Sequence, residues 1–352
     1  MPRGYHARVV HSRQFAALVA SLLSAAASAQ EPAPPAADAP LDEIVVTGEY
    51  PGPGLWKVTR ADEPAGHALW IIGDPPPLPK RLAWKSTAVE AVVLRSQEIL
   101  RDTGVTMKPD ENIGFFKGLS LLPSALKARK NPDAATLSEV LPADIYARWL
   151  VQKKRFLGHD SGVENWRPLF AADKLRKAAL SDLGLRDSGM VWEVVGDLAK
   201  KHKLRVTAPL LEFKIKASEI KTRIKEFSKE SLPDVDCLAK TLDYTEALSK
   251  HDVETARAHA WATADLETLA ALPPLPNPGL TCVMAIMSSQ VAKEVLPSDI
   301  PEQVQARWVA EAERALRDNE TTFAIVPLTK LLRDDGYVAR LRAKGYVVDA
   351  PR

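Results

Sequence analysis

The sequence predicts a mixed, helix-rich α/β fold, with a small central mixed sheet and a large helical insertion. Apolar β-prone runs stand near both ends of the chain, at 68–73 and 321–327. Between them, amphipathic helical segments broken by Pro or Gly follow one another from 119 to about 200. Strand–helix alternation at both ends favours one α/β domain. No segment repeats at a fixed period, which argues against a solenoid.

Residues 1–29 predict a cleaved signal peptide. Three arginines precede the apolar stretch "FAALVASLLSAAASA", and small residues lead to a predicted cut between Ala29 and Gln30. The stretch is shorter than the roughly 18 apolar residues of a membrane-spanning helix, and no later run reaches that length. We therefore expect a periplasmic protein with no transmembrane segment in the mature chain.

Residues 30–41 are rich in Pro and Ala and predict a disordered linker, which leaves 42–352 as a single domain. The segment "DEIVVTG" that follows resembles the start of the plug of TonB-dependent outer-membrane receptors. The rest of the chain is too helical for such a barrel. The segment is interpreted as an edge strand or a docking peptide, and an accessory role beside such receptors is one hypothesis.

The elements of the domain follow from local patterns. Residues 55–59 and 68–73 predict a β-hairpin, and Ser86 begins a helical pattern that continues to Arg101. Asp265 is interpreted as a helix cap. Later segments predict, in order, a strand at 204–208, a helix at 301–319, a strand at 321–327, a helix at 328–344 and a terminal strand at 345–351.

The charge balance excludes some partners. The chain carries 47 Lys and Arg against 45 Asp and Glu, a net charge of +2. Removal of residues 1–29 takes away three arginines and no acid, so the net charge changes from +2 to about −1. Because both signs are interspersed, neither nucleic acid nor an anionic membrane surface is an expected partner.

The two cysteines, Cys237 and Cys282, predict a disulfide bond in an exported protein. On the chain-entropy model, closing a loop of about 45 residues stabilises the fold by roughly 4 kcal/mol. A metal site is the weaker interpretation, since neither cysteine has a second ligand at C-x-x-C spacing.

Several segments together carry a resemblance to a known family. They are "GLWKV", "HALWIIGD", "AWATADLETL" and "RALRDNETTFAIVPLTKLLRDDGYVARLRAKGYVV", in that order between Gly54 and Val348. The chain resembles the TraB/GumN family, which shares an α/β fold with the Tiki metal-dependent proteases. The resemblance implies a site with two G-x-x-H motifs, a glutamate after the first helix and an arginine on a late helix. Two imidazoles and a carboxylate could hold a divalent metal and leave a position open for water.

The histidines of that pattern are absent. The first motif falls on Gly73-Asp74-Pro75-Pro76, so Pro76 stands at the histidine position. The second falls near Ile325-Val326-Pro327-Leu328, where the family carries Gly and His-Leu. Neither proline nor leucine can ligate a metal or transfer a proton. We therefore expect no metal and no other cofactor, although the family resemblance suggests a divalent metal.

The two remaining elements match better. The acid after the first helix corresponds to Glu98 or Asp102, because the register of "SQEILRD" is open. Arg307, which precedes Trp308, matches the late arginine.

Two function classes follow from this pattern. The leading hypothesis is an exported binding or envelope-associated accessory protein without catalytic activity, whose partner is an envelope protein or a peptide. The predicted rim of its cleft is formed by Gly73, Asp74, Pro75, Pro76, Pro327 and Leu328. The alternative is a metal-dependent or metal-independent hydrolase or peptidase with a rebuilt site. Its candidate catalytic residues are His67, Asp74, Glu98 and Arg307.

Overall fold

The computed structural model describes residues 52–75, 77–187 and 189–351. The predicted signal peptide, the Pro/Ala linker and the "DEIVVTG" segment lie outside these residues. The domain limits assigned to the leader, the linker and residues 42–352 therefore remain predictions.

Within the described residues, the strands form one large and two small sheets. Their bounds are β1 Leu55–Arg60, β2 Glu63–Asp74, β3 Leu78–Pro79, β4 Glu98–Arg101, β5 Gly104–Pro109, β6 Leu185–Arg186, β7 Arg205–Thr207, β8 Leu210–Ile215, β9 Thr321–Pro327 and β10 Tyr346–Asp349. The large sheet has the order β10-β1-β2-β9-β4-β7. Strands β2, β9, β4 and β7 are parallel, whereas β1 runs antiparallel to β2 and β10. The predicted mixed α/β fold is confirmed.

Helices occupy most of the remaining chain. Their bounds are α1 Thr87–Arg95, α2 Phe115–Ala128, α3 Leu137–Val140, α4 Ala143–Phe156, α5 Pro168–Asp182, α6 Met190–His202, α7 Ile220–Phe227, α8 Val235–Leu248, α9 His251–Ala262, α10 Leu266–Ala271, α11 Pro278–Met287, α12 Gln290–Val295, α13 Ile300–Asp318, α14 Leu328–Leu332 and α15 Tyr337–Ala343. Helices also follow β8, so the helical part between β4 and β9 extends beyond residue 200. None of the described helices combines the length and apolar composition needed to cross a membrane.

The predicted helix over 86–101 is wrong in its second half. Helix α1 ends at Arg95, the backbone of Ser96 is extended, and strand β4 follows at Glu98–Arg101. Ile99 and Leu100 are fully buried in the centre of the sheet. A short apolar run of this kind fits the spacing of a buried strand as well as that of a helix. The pattern alone therefore could not place the boundary.

The apolar residues of the sheet and of the helical part form separate cores. The larger core contains Leu69, Ile71, Ile99 and Phe323 of the sheet together with residues of the adjoining helices. A second core lies among α3, α4, α5 and α8. The Cys237–Cys282 disulfide joins α8 to α11 beside this second core, with the two Cα atoms 4.6 Å apart. The predicted cysteine pairing is present.

Glu98 holds the start of the sheet together. Its side chain is fully buried and accepts hydrogen bonds from Arg314 Nη2 at 2.6 Å, Asn319 Nδ2 at 2.7 Å and Arg205 Nη2 at 2.5 Å. Burial opposes ionisation, but these hydrogen bonds and one from Thr207 outweigh it and lower the pKa of the Glu98 carboxyl. The carboxylate thus links β4 to β7 and to the end of α13.

We expect Glu98→Gln to lower the free energy of unfolding by about 2 kcal/mol at pH 7, because two guanidinium groups lose a charged partner. The folded-state pKa is lowered, so the native contribution is present above the unfolded value of about 4.3. It is lost as the pH falls through the lowered pKa. Urea denaturation at pH 3 to 7 measures this difference.

The control is Glu111→Gln, which changes an exposed side chain. Its expected effect stays within about 0.5 kcal/mol at every pH. An equally small effect for Glu98→Gln would contradict the role assigned to the buried carboxylate.

Candidate functional site

The parallel strands of the large sheet end at one edge, beside a cleft of about 790 Å³. The pairing of β2 with β9 aligns Asp74 with Pro327, and β4 ends next to them at Arg101. Asp74 and Pro327 line the cleft together with residues of α5, α8, α9 and α11. The volume lies in the range of small-molecule and peptide sites, which are about 300–1,000 Å³.

The walls of the cleft are mainly apolar. Six prolines line it: Pro75, Pro77, Pro274, Pro276, Pro278 and Pro327. The charged lining residues are Asp74, Asp173, Arg176, Asp187 and Arg257. Because proline fixes the φ angle, loops that contain several prolines lose little conformational freedom when a ligand binds.

Leu328 fills the space between the ends of β2 and β9. A Cβ atom built at Gly73 would lie 3.2 Å from the Leu328 Cα atom and closer still to the side chain. A side chain at position 73 would therefore displace Leu328, whereas glycine accommodates the close approach. Both residues are buried, and the junction between the two strand ends is hydrocarbon.

Helix α9 is attached to the same strand end. The indole Nε1 of Trp261 donates a hydrogen bond to the Gly73 carbonyl at 2.9 Å, and the Trp261 ring packs against Trp84. This bond holds α9 against the carboxyl edge of the sheet.

Asp102 follows β4 at this edge and forms an ion pair with Lys330. It accepts hydrogen bonds from Lys330 Nζ and from the Tyr337 hydroxyl, each at 2.6 Å. Tyr337 in turn stacks on Trp308, with the ring centroids 4.1 Å apart. Burial and the Asp102 carboxylate raise the pKa of the Tyr337 hydroxyl, so that it remains a donor. The ammonium group of Lys330 and the hydroxyl of Tyr337 thus fix the position of Asp102, one of the two candidates for the acid after the first helix.

Asp74 has weaker partners. Its nearest donor is the backbone N–H of Gly189, at 3.3 Å. Burial raises the pKa of the Asp74 carboxyl, and Gly189, Arg101 and Arg186 offset this only in part. Asp74 is therefore a partly desolvated acid at the mouth of the cleft.

The structure does not bring the four predicted catalytic candidates together. His67 lies seven residues before Asp74 on β2, about 23 Å away at a strand rise of about 3.3 Å per residue. Its Nδ1 pairs with the Leu316 carbonyl at 2.9 Å. Glu98 aligns with Thr322 at the start of β9, at the same distant edge. Arg307 is half exposed on α13 and pairs with Glu311.

The predicted cleft rim divides into three groups. Asp74, Pro75 and Pro327 line the cleft. Gly73 and Leu328 are buried against each other just behind it. Pro76 lies outside the described residues.

The comparisons with known proteins give one match. The model of the TraB/PrgY/gumN family matches residues 54–350. The chain belongs to this family. Neither the curated proteins nor the solved structures give a match.

A divalent metal, which the TraB/PrgY/gumN resemblance implies, does not fit the strand ends found here. Gly73 and Leu328 present only backbone and hydrocarbon, and the Asp102 carboxylate is occupied by Lys330 and Tyr337. Among the described residues, no three His, Cys, Asp or Glu side chains stand close enough together to hold a metal ion. The chemistry of the donors at this edge differs from that of a metal centre.

The polar side of the cleft was missed by sequence reasoning. Arg176, Asp187, Tyr244 and Arg257 come from four different segments of the helical part. No spacing in the sequence connects them. Local signals are limited to the i, i+3 spacings of Asp173 and Arg176 on α5 and of Glu254 and Arg257 on α9.

In the native chain of this TraB/PrgY/gumN protein, ionisation of the buried Asp74 lowers the free energy of unfolding as the pH rises. We expect Asp74→Asn to abolish this pH dependence. The folded-state pKa is raised, so the contribution of Asp74 is fully present below the unfolded value of about 3.9. It is lost as the pH rises through the raised pKa. The stability of the variant relative to the native chain should therefore increase with pH in chemical denaturation from pH 3 to 7.

Asp265→Asn provides a control of opposite sign. Asp265 caps α10 by accepting hydrogen bonds from the Thr268 N–H and hydroxyl, which lower its pKa. The native chain should have a higher free energy of unfolding than this variant at neutral pH, and the difference should shrink as the pH falls. If the stabilities of the two variants, each relative to the native chain, changed with pH in the same direction, the assigned environment of Asp74 would be contradicted.

Proposed function

We propose that this protein is an exported, periplasmic member of the TraB/PrgY/gumN family that binds a peptide or a segment of an envelope protein without hydrolysing it. The packing of Leu328 on Gly73 carries this proposal. Hydrocarbon occupies the junction of the two strand ends, where hydrolysis would need a nucleophile, a general base or a metal-bound water.

The Asp102 ion pair supports the loss of catalysis. A carboxylate that serves as ligand or base needs a lone pair directed at the reacting group. Here, Lys330 and Tyr337 take up both oxygens of Asp102. Because the charge of Asp102 is already paired with Lys330, this carboxylate attracts a cation less strongly than an unpaired one would.

Two observations support export. The first 29 residues have the composition of a cleaved leader. The Cys237–Cys282 disulfide is of a kind that persists in oxidising compartments and is rare in the cytosol.

The cleft supports a binding role. Its apolar walls are stiffened by prolines, and its charged groups are few and come from separate elements. Such a preformed surface suits a short apolar peptide segment, because little ordering entropy is lost on binding.

One observation favours the alternative of a rebuilt hydrolase. Asp74 is a cleft acid whose pKa is raised by burial, and such acids are frequent at active sites. The acid and the base predicted to act with Asp74, Glu98 and His67, nevertheless lie at the opposite edge of the sheet. The activity measurement described next distinguishes the two functions.

We expect protein recovered from a bacterial periplasm to begin near Gln30 and to contain no stoichiometric metal. Dialysis against zinc, manganese or cobalt, followed by removal of free ions, should leave less than one ion per chain by plasma mass spectrometry. A peptide library should remain uncut over the same period. A stoichiometric bound ion would contradict the proposed metal-free site, and cleavage that is abolished by Asp74→Asn would establish the hydrolase instead.

We expect Ile286→Glu to weaken peptide binding about tenfold or more, because the substitution places a charge on the apolar wall of the cleft. Leu280→Glu is the matched control, since Leu280 lies on the same helix, is 52 % exposed and does not line the cleft. Fluorescence anisotropy with labelled proline- and leucine-containing peptides measures both. Equal losses in the two variants would place binding outside the cleft.

A further inference from the structure

Two ion pairs flank Tyr244 on the helical side of the cleft. Arg176 pairs with Asp187, and Arg257 lies near Glu254. Tyr244 is within electrostatic reach of Arg176, Asp187 and Glu254, and burial raises the pKa of its hydroxyl. Arg176, Asp187, Tyr244 and Arg257 all line the cleft. This group forms the polar wall of an otherwise apolar cleft.

The Glu254–Arg257 pair is buried but incompletely bonded. The Nε atom of Arg257 is 3.7 Å from Glu254 Oε1, which is longer than a hydrogen bond. Both residues are 6 % exposed. The Arg257 Nε atom and both Glu254 carboxylate oxygens are buried without a hydrogen-bond partner among the described residues. Buried polar groups are rarely left in this state, and each such case calls for an explanation.

The position of the pair on α9 directs it to the cleft. Glu254, Arg257 and Trp261 are spaced i, i+3 and i+7, so they share one face of the helix. Trp261 fixes this face to the end of β2 through its hydrogen bond to Gly73. Arg257 Nη2 donates to the Pro273 carbonyl at 2.7 Å, at the base of the proline-rich loop that lines the cleft.

The two cleft arginines differ in their remaining bonding capacity. Arg176 is hydrogen-bonded to Asp187 and also lies near Asp173. Arg257 has a single hydrogen bond among the described residues, to a neutral carbonyl. Since a guanidinium carries five N–H donors in a planar fork, Arg257 can still accept a bidentate anionic partner.

We propose that Arg257 anchors the carboxylate of the ligand, so that the cleft selects molecules in which a carboxylate ends an apolar body. This inference rests on the proposed binding function of the cleft. The apolar body lies against the proline walls, and the carboxylate lies at the polar wall. The carboxyl terminus of a short apolar peptide and the head of a fatty acid share this chemistry.

Glu254 is a positioning residue in this arrangement. It holds the guanidinium of Arg257 against α9, and its charge opposes an incoming anion. Burial raises the pKa of the Glu254 carboxyl, and Arg257 offsets this only in part. The groups within electrostatic reach of Glu254 are Arg257 on α9 and Tyr244 on α8, and Tyr244 is in turn within reach of Arg176 on α5 and Asp187 after β6. Removal of the Glu254 charge should therefore favour anion binding.

The test compares matched acids and amides on the full mature chain. The probes are short proline- and leucine-containing peptides with carboxylate or amidated termini, together with octanoate and octanamide. Calorimetry should show about ten- to a hundredfold tighter binding of the acid, the range of a lost hydrogen bond to a charged group. A preference for the peptide acid or for octanoate identifies the source, and either one supports the assignment.

The variants should act in opposite directions. Arg257→Gln should abolish the preference for the acid, Arg257→Lys should retain part of it, and Glu254→Gln should strengthen binding of the acid severalfold without changing that of the amide. A merely structural role for Arg257 would weaken acid and amide equally. Arg60→Gln is the control and should change neither, because Arg60 ends β1 beside the start of β2, at the edge of the sheet remote from the cleft, and pairs with Asp62.

The outcomes separate the two proposals. Equal binding of acid and amide, or a preference that survives Arg257→Gln, overturns the anchoring role and leaves the proposed function intact. Stoichiometric metal or peptide cleavage overturns the proposed function, whatever the preference. Absence of binding by any of the probes counts against both.

Discussion

The parallel pairing of β2 with β9 is the constraint on which the other features of the molecule depend. It joins segments about 250 residues apart and aligns Asp74 with Pro327, so that both strands end at one edge. Parallel strands need both faces covered, which explains why their central residues are apolar on both sides. The long helical part between β4 and β9 returns to this edge through α9, where Trp261 bonds to Gly73. The cleft is the space left between the fixed strand ends and the returning helices.

The contacts at the carboxyl edge of the sheet make this edge rigid. Leu328 packs directly on Gly73, Lys330 and Tyr337 hydrogen-bond to Asp102, and prolines stiffen the adjoining loops. Close packing and prolines restrict motion at this edge of the sheet. The same contacts benefit a binding surface, because a preformed cleft loses less entropy when it is occupied.

The sequence was informative where a pattern is local. The hairpin, strand β9, the end of α13 and the Asp265 cap follow from apolar runs, caps and breaks over a few residues. Strand β4 was missed because Ile99 and Leu100 continue the helical spacing of α1. The cleft rim was partly predicted, since the ends of β2 and β9 carry it. The polar wall could not be predicted, because Arg176, Tyr244 and Arg257 meet only through the packing of α5, α8 and α9.

The incompletely bonded pair on α9 is easier to explain by ligand binding than by stability. Replacing a buried ion pair with apolar residues of similar volume is often neutral or stabilising, so such a pair contributes little to folding by itself. Natural proteins keep unfavourable local arrangements mainly where function requires them. Glu98 provides the contrast within the same chain, since its buried carboxylate is fully bonded and lies at the edge remote from the cleft. Of these two buried acids, the incompletely bonded one lies beside the cleft on α9, and the fully bonded one serves the sheet.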